Sequence, residues 1–346
     1  MRNVLSVRLH QNRQFQRPQT SEMNLQGQQR NLCKGELHIL NETEGFSHLS
    51  SLAKYVTLHN NVKMPVIGFG TYRLKGEAVA DPLRAALAAG YRHIDTASIY
   101  KNEQVIGEII RDYIKNHENA DCSIKREHIF ITTKLTPKDQ GFEKASIAID
   151  QSIEKLGISP IDLFLIHWPG IAGRKVDDPE TASIRLGTWR ALEKALMDGK
   201  VRSIGVSNFQ PRHLIHLLEN AKIVPHVNQI ELHPACPQTE LMELCKKDNI
   251  QVVAYSSLGV GGLLDHQIVL DVAKRCRRTP AQILLRWGLQ KGVCVLPKAS
   301  SKERIEENLK VVEFELDVDE MDELANISHE YSTPKHFCWD PESIKF

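Results

Sequence analysis

The sequence predicts an α/β fold: a (β/α)8 TIM barrel with a short N-terminal β-hairpin and a disordered N-terminal extension. Three observations carry that expectation. Eight short apolar runs recur between residue 54 and residue 346, and amphipathic stretches separate them, which is the pattern of parallel β/α units. The regular region is close to the ~250 residues typical of an eight-fold barrel, with some insertion. Polar residues stand at or just past the ends of runs two to eight, where a barrel places its functional side chains.

The elements follow in order. Residues 1–53 are rich in Gln, Asn and Arg and show no core-forming period, so they read as a disordered extension preceding a barrel domain over 54–346. Val56-Thr57-Leu58 and Lys63-Met64-Pro65-Val66 flank Asn60-Asn61 and read as the hairpin. Strands are expected at Val66–Gly70, His93–Asp95, Ile129–Thr133, Leu163–His167, Ile204–Ser207, Val227–Glu231, Gln251–Tyr255 and Val293–Pro297. Helices are expected at Gln104–Lys115, Lys144–Leu156 and Thr188–Met197, among others. An open doubly wound sheet is the alternative. It calls for a glycine-rich phosphate turn after the first strand, and Gly68-Phe69-Gly70-Thr71-Tyr72-Arg73 lacks the third glycine.

Bulk properties exclude several classes of function. Among 346 residues the formal net charge is +1, which suggests no nucleic-acid partner and no acidic membrane surface. No apolar stretch is as long as a membrane span. Cys33, Cys122, Cys236, Cys245, Cys276, Cys294 and Cys338 are scattered and odd in number, without a CxxC pair, which fits reduced thiols in an intracellular compartment. A cytoplasmic location is expected. The alternative is mitochondrial, because Arg2, Arg8, Arg13 and Arg17 precede the first acidic residue, Glu22, as in a transit peptide. No metal is expected: His226 and His233 lack ligand spacing, and there is no HExxH.

The run ends carry the chemistry. Arg92-His93-Ile94-Asp95 delivers Asp95, with Tyr100 just beyond; Ile129-Phe130-Ile131-Thr132-Thr133-Lys134 delivers Lys134; Leu163-Phe164-Leu165-Ile166 leads into His167. An acid, a phenol, a base and an imidazole, each placed after a strand, can make a proton-transfer site. Asp95 and Lys134 alone could equally be a structural ion pair. Tyr100 and His167 beside them favour catalysis. Ser207-Asn208, Gln229, Tyr255 and Lys298 stand at further run ends, whereas His93 reads as structural.

With those residues in view, the chain resembles the aldo-keto reductases across residues 56–346. The matching segments are Gly90–Ala97, Leu165-Ile166-His167-Trp168-Pro169, Gly205-Val206-Ser207-Asn208-Phe209, Asn228–Pro234 and Leu296-Pro297-Lys298-Ala299-Ser300. The ending Phe337-Cys338-Trp339-Asp340-Pro341 resembles the glyoxal-reductase and prostaglandin-F-synthase type members. The resemblance implies a (β/α)8 barrel that binds NADPH and transfers hydride to aldehydes, ketones and small dicarbonyls. It implies Tyr100 as general acid, Lys134 as the cation that lowers its pKa, Asp95 as the anchor of Lys134, and His167 as the donor that orients the substrate oxygen. It implies cofactor contacts from Thr71, Asp95, Ser207, Asn208, Gln229, Tyr255, Ser256, Leu258, Lys298, Ser300, Ser301, Arg304, Glu307 and Asn308. Tyr72, His167 and Trp168 are implied as substrate contacts, with a small-molecule carbonyl substrate as partner and a monomer as the state.

Two positions depart from the family pattern. Ala299 replaces a common serine, removing one phosphate hydrogen bond, and Ser256-Ser257-Leu258-Gly259 lacks a common proline before a short segment. Two other functions remain alternatives: a cofactor-binding regulatory subunit and a lens-type structural protein. His167 argues against the first, and an activity assay would decide the second.

Overall fold

The structure is a computed structural model and describes residues 55–117, 123–175 and 178–341. The expected extension, residues 1–53, lies outside the described residues, as do Cys33 and Cys122. The five described cysteines are free thiols. No helix among the described residues is long and apolar enough to cross a membrane.

Strands β1 (Tyr55–Thr57) and β2 (Lys63–Pro65) pair antiparallel as the expected hairpin. Eight parallel strands follow: β3 (Phe69–Gly70), β4 (His93–Asp95), β5 (Phe130–Leu135), β6 (Ile161–Ile166), β7 (Val201–Ser207), β8 (Val227–Glu231), β9 (Gln251–Tyr255) and β10 (Cys294–Val295). Each pairs with its sequence neighbour, and Ile67 bridges Val295 to close the ring. The first strand is shorter than expected. Only Phe69–Gly70 pairs with β4, while Val66 O accepts from Val295 N and Gly68 N donates to Val295 O, both at 2.9 Å, on the opposite side.

Helices α1 (Ala80–Ala89), α2 (Glu103–His117), α3 (Phe142–Leu156), α4 (Glu180–Met197), α5 (Pro211–Asn220) and α6 (Thr239–Lys247) each follow one strand. Two helices, α7 (Gln267–Cys276) and α8 (Pro280–Gln290), follow β9, and α9 (Lys302–Leu309) and α10 (Val318–Ala325) follow β10. Local signals set the ends. Thr279 caps α8 with Pro280 in its first turn and Gln282 completing a capping box. Gly90 ends α1 at φ 107°, a left-handed conformation that glycine takes without strain. Helix α4 starts at Glu180, well before the expected Thr188. Its buried face includes Thr181, Arg185 and Thr188, so the polar residues hide the apolar period.

The core is continuous from barrel to helices. Ile94, Ile131, Phe164, Ile204 and Val253 are buried in the strands, and Leu83, Ile106, Ile149, Leu192 and Leu214 on the helices that cover them. Each such side chain contributes roughly 1.5–3 kcal/mol on burial. The N-terminal end of the barrel is held by polar ties. Asp162 on β6 pairs with Arg126 at 2.6 Å and Arg202 at 2.7 Å. His93, at the start of β4, contacts Thr132 Oγ1 at 2.9 Å and Pro65 O at 3.3 Å. His59 of the hairpin turn stacks on His226 at 4.4 Å.

Candidate active site

Because the strands are parallel, their last residues converge on one end. Asp95 ends β4, Lys134 is the penultimate residue of β5, and His167 directly follows β6. Tyr100 lies in the short turn Ser98–Tyr100 after β4. Lys134 is fully buried and donates to Asp95 Oδ1 at 2.6 Å and to Thr96 O at 2.8 Å. Gln229 Nε2, arriving from β8, donates to Asp95 Oδ2 at 2.7 Å, so both carboxylate oxygens are used. The Lys134 ammonium lies 5.4 Å from the Tyr100 ring centre, and the His167 ring meets that ring edge-on at 5.8 Å.

Electrostatics assign protonation states. Burial lowers the Lys134 pKa, against the opposing pull of Asp95. Burial, with Lys134 nearby, drives the His167 imidazole well below its usual value, so it is neutral and can donate one hydrogen bond. The expectation that Lys134 lowers the Tyr100 pKa is not met. Burial, reinforced by Asp95, Tyr72 and Cys338, pushes the phenol well above its usual range. Loss of solvation on burial is the leading cause, and Lys134 is itself held by Asp95 at 2.6 Å. Tyr100 is therefore a protonated hydroxyl.

The expected cofactor residues form two groups. At the barrel mouth Ser207 Oγ donates to Gln229 O at 2.8 Å, Asn208 Nδ2 donates to His167 O at 2.9 Å, and Tyr255 Oη donates to Asn208 Oδ1 at 2.6 Å. Thr71 Oγ1 donates to Asp95 O at 2.9 Å, and half-exposed Tyr72 packs 5.3 Å from Tyr100. The second group surrounds the start of α9. Lys298, Ser300 and Arg304 are exposed and Ser301 caps the helix, accepting from Arg304 N. Among the described residues neither Lys298 nor Arg304 has a carboxylate partner, so both cations are available to an anion. Glu307 accepts from Thr279 Oγ1 at 2.6 Å, and Asn308 is buried on the same helix. Leu258 packs against the core, and Ser256 Oγ lies 3.1 Å from Cys338 Sγ.

The tail supplies what sequence reasoning left unassigned. Glu231, at the end of β8, accepts from His336 Nδ1 at 2.9 Å, Phe337 N at 2.8 Å, Cys338 N at 3.1 Å and His233 Nε2 at 3.2 Å. Burial would raise that carboxyl, but these donors bring it down to about 2. Held this way, the tail sets Cys338 beside Ser256 and Trp339 6.1 Å from Trp168. Trp168 is buried and Trp339 beside it is exposed. The segment Asn228–Pro234 drew attention in the sequence, but nothing local tells that Glu231 faces a tail about a hundred residues on.

The sequence profile of the Aldo/keto reductase family matches residues 66–329. A 9,11-endoperoxide prostaglandin H2 reductase of Trypanosoma cruzi is 42% identical over 293 residues, covering 84% of this chain and 95% of that protein. A glyoxal reductase of Bacillus subtilis is 42% identical over 276 residues, covering 80% and 93%. Among solved structures, an aldo-keto reductase from a Medee basin deep-sea metagenome library superposes with TM-score 0.74 at 39% identity, covering 84% of this chain and all of that one. A Gox0644 variant in complex with NADPH superposes with TM-score 0.75 at 34% identity, covering 85% and 99%.

Proposed function

We propose that this chain, which belongs to the aldo/keto reductase family, is an NADPH-dependent enzyme that reduces aldehydes, ketones and small dicarbonyls to alcohols with Tyr100 as the general acid. The observation that carries this reading is the buried cluster in which the Lys134–Asp95 pair, the neutral His167 imidazole and the protonated Tyr100 share one barrel mouth. The residues fit the cofactor. Tyr255 would offer a ring face, Ser207, Asn208 and Gln229 form a polar rim beside it, and Lys298 and Arg304, without a carboxylate partner among the described residues, would offer positive charge to a phosphate. When bound, NADPH supplies the hydride.

The chain's own residues do the rest. His167 donates a hydrogen bond to the substrate oxygen and fixes the direction of the carbonyl. The Tyr100 hydroxyl gives its proton to that oxygen as negative charge develops on it. A phenol is a weak acid at neutrality, so this transfer needs the developing alkoxide as a strong base. Lys134 lies close enough to stabilise the tyrosinate left behind, and Asp95 with Gln229 holds Lys134 in place. Tyr72 packs against Tyr100, and Trp339 lies over Trp168, so aromatic rings flank the site.

The test is steady-state oxidation of NADPH in the presence of methylglyoxal, an aromatic aldehyde, a quinone and a keto-prostanoid. Turnover of at least one carbonyl with loss of NADPH absorbance is expected. Absence of turnover across the set overturns the assignment.

A further inference from the structure

Four consecutive carbonyls, those of residues 167–170 after β6, each accept a hydrogen bond from a side chain. Asn208 Nδ2 reaches His167 O at 2.9 Å; Gln140 Nε2 reaches Trp168 O at 3.0 Å and Gly170 O at 2.5 Å; Arg185 Nη1 reaches Pro169 O at 3.0 Å. The donors come from three places: the end of β7, the loop before α3, and α4. All three are almost fully buried. Irregular backbone near a surface ordinarily leaves its carbonyls to water. Here water is replaced by side chains with fixed geometry.

Arg185 stands out within this cradle. A buried guanidinium costs several kcal/mol unless a carboxylate compensates it. Arg185 has no carboxylate partner among the described residues; its Nε is unpaired, and its charge packs over the Phe209 ring at 5.7 Å, near Arg212 and His213. Its one hydrogen bond is to Pro169 O. Gln140 is likewise committed: both of its amide bonds go to the segment, while Oε1 faces Thr188 Oγ1 at 3.5 Å. His167, in turn, lacks the partner that usually orients an active histidine, for its Nδ1 is buried and unpaired. With no hydrogen bond at Nδ1, the ring's direction depends on its backbone and on the Tyr100 and Trp168 rings beside it.

We propose that Gln140 and Arg185 are positioning residues for carbonyl reduction: by gripping the carbonyls of Trp168, Pro169 and Gly170 they hold the His167 imidazole and the Trp168 wall in the geometry that selects one face of the substrate. This rests on the roles given to His167 and Trp168 above. A misplacement of ~1 Å can cost on the order of 100-fold in rate, so a loosened cradle is felt at the reacting atoms.

The test uses the full chain with Gln140→Leu and Arg185→Met, which keep side-chain bulk while removing the donors. Expected for both variants is a kcat lower by roughly 10- to 100-fold on a prochiral ketone, with the NADPH dissociation constant within about twofold of wild type. The enantiomeric ratio of the alcohol should fall by at least about threefold, a change that lost stability alone does not produce. Independently of turnover, the His167 ring signals in 15N-histidine spectra, assigned by their loss in His167→Gln, should broaden or split. If Arg185→Met does not fold, Gln140→Leu decides. A folded Gln140→Leu protein with sharp, unshifted His167 signals overturns the proposal, as does a wild-type enantiomeric ratio. A wild type that turns over no carbonyl defeats the functional reading instead, and the ring signals still judge the cradle.

Discussion

Lys134 and Asp95 form a fully buried ion pair whose remaining hydrogen bonds are met by Thr96 O and Gln229 Nε2. Removing one partner of such a pair strands a buried charge, at a cost of about 3–5 kcal/mol. Lys134→Met should therefore lower stability in denaturant titration by that amount. Adding Asp95→Asn should recover part of the loss, because the double variant buries no charge. A loss below ~1 kcal/mol for Lys134→Met would mean that water reaches the pair. At the cofactor end, Lys298 is exposed and unpaired among the described residues, and a charge-assisted contact to phosphate is worth roughly 1.5–3 kcal/mol. Lys298→Met should raise KM for NADPH far more than for NADH, and equal effects would remove Lys298 from the phosphate site. Individual residues were the most legible part of the sequence. Asp95, Lys134 and His167 end or follow apolar runs, and a parallel strand delivers what stands at its end. Gln140, Arg185 and Glu231 were not legible as site residues. Their partners are backbone atoms on distant elements, and no local pattern encodes those.

At the scale of elements, the tail and its anchor make the clearest prediction. Glu231 raises the pKa of His336, against the effect of burial and with help from Asp340, while His233 and Cys236 face the same carboxylate and ring. A histidine raised on folding contributes stability that is fully present below its unfolded pKa of ~6.5 and is lost as pH rises through the higher folded value. The wild type should therefore lose more Tm than His336→Gln as pH rises above ~6.5. Parallel curves for the two proteins would show that the tie carries no linkage. Sterics give a second handle on the tail, since Phe337 packs directly over Gly262 and leaves no room for a Cβ there. Gly262→Ala should displace the tail, cost about 1–3 kcal/mol by overpacking and raise KM for the carbonyl more than for NADPH. The strands were legible to within a few residues because their apolar runs are short and bounded. Helix α4 was only half legible because Thr181, Arg185 and Thr188 occupy its buried face.

At the scale of the molecule, barrel closure divides labour between two ends. Asp162, His93 and the hairpin tie the N-terminal end, and the polar side chains of the opposite end converge on one cluster. Residues 1–53 show no core-forming period in their sequence, and we propose that they are dispensable to the barrel. Deleting them should leave Tm and turnover unchanged within error, and a large fall in either would assign them a structural part. The eight-fold order was legible because eight runs alternate with amphipathic segments. The seat of the tail was not, because its contacts are set by the closed barrel.

The proposed transfer of a proton from Tyr100 to a carbonyl oxygen reduced at this mouth can be tested directly. Its most direct measurement is NADPH oxidation with methylglyoxal by the wild type and by Tyr100→Phe, alongside the NADPH dissociation constant of each. The phenylalanine keeps the ring against Tyr72 and His167 and removes only the hydroxyl. General acid catalysis is worth about 10²–10⁴-fold, so kcat should fall by at least ~10² while NADPH affinity stays within about twofold. Near-normal reduction by Tyr100→Phe would contradict the account.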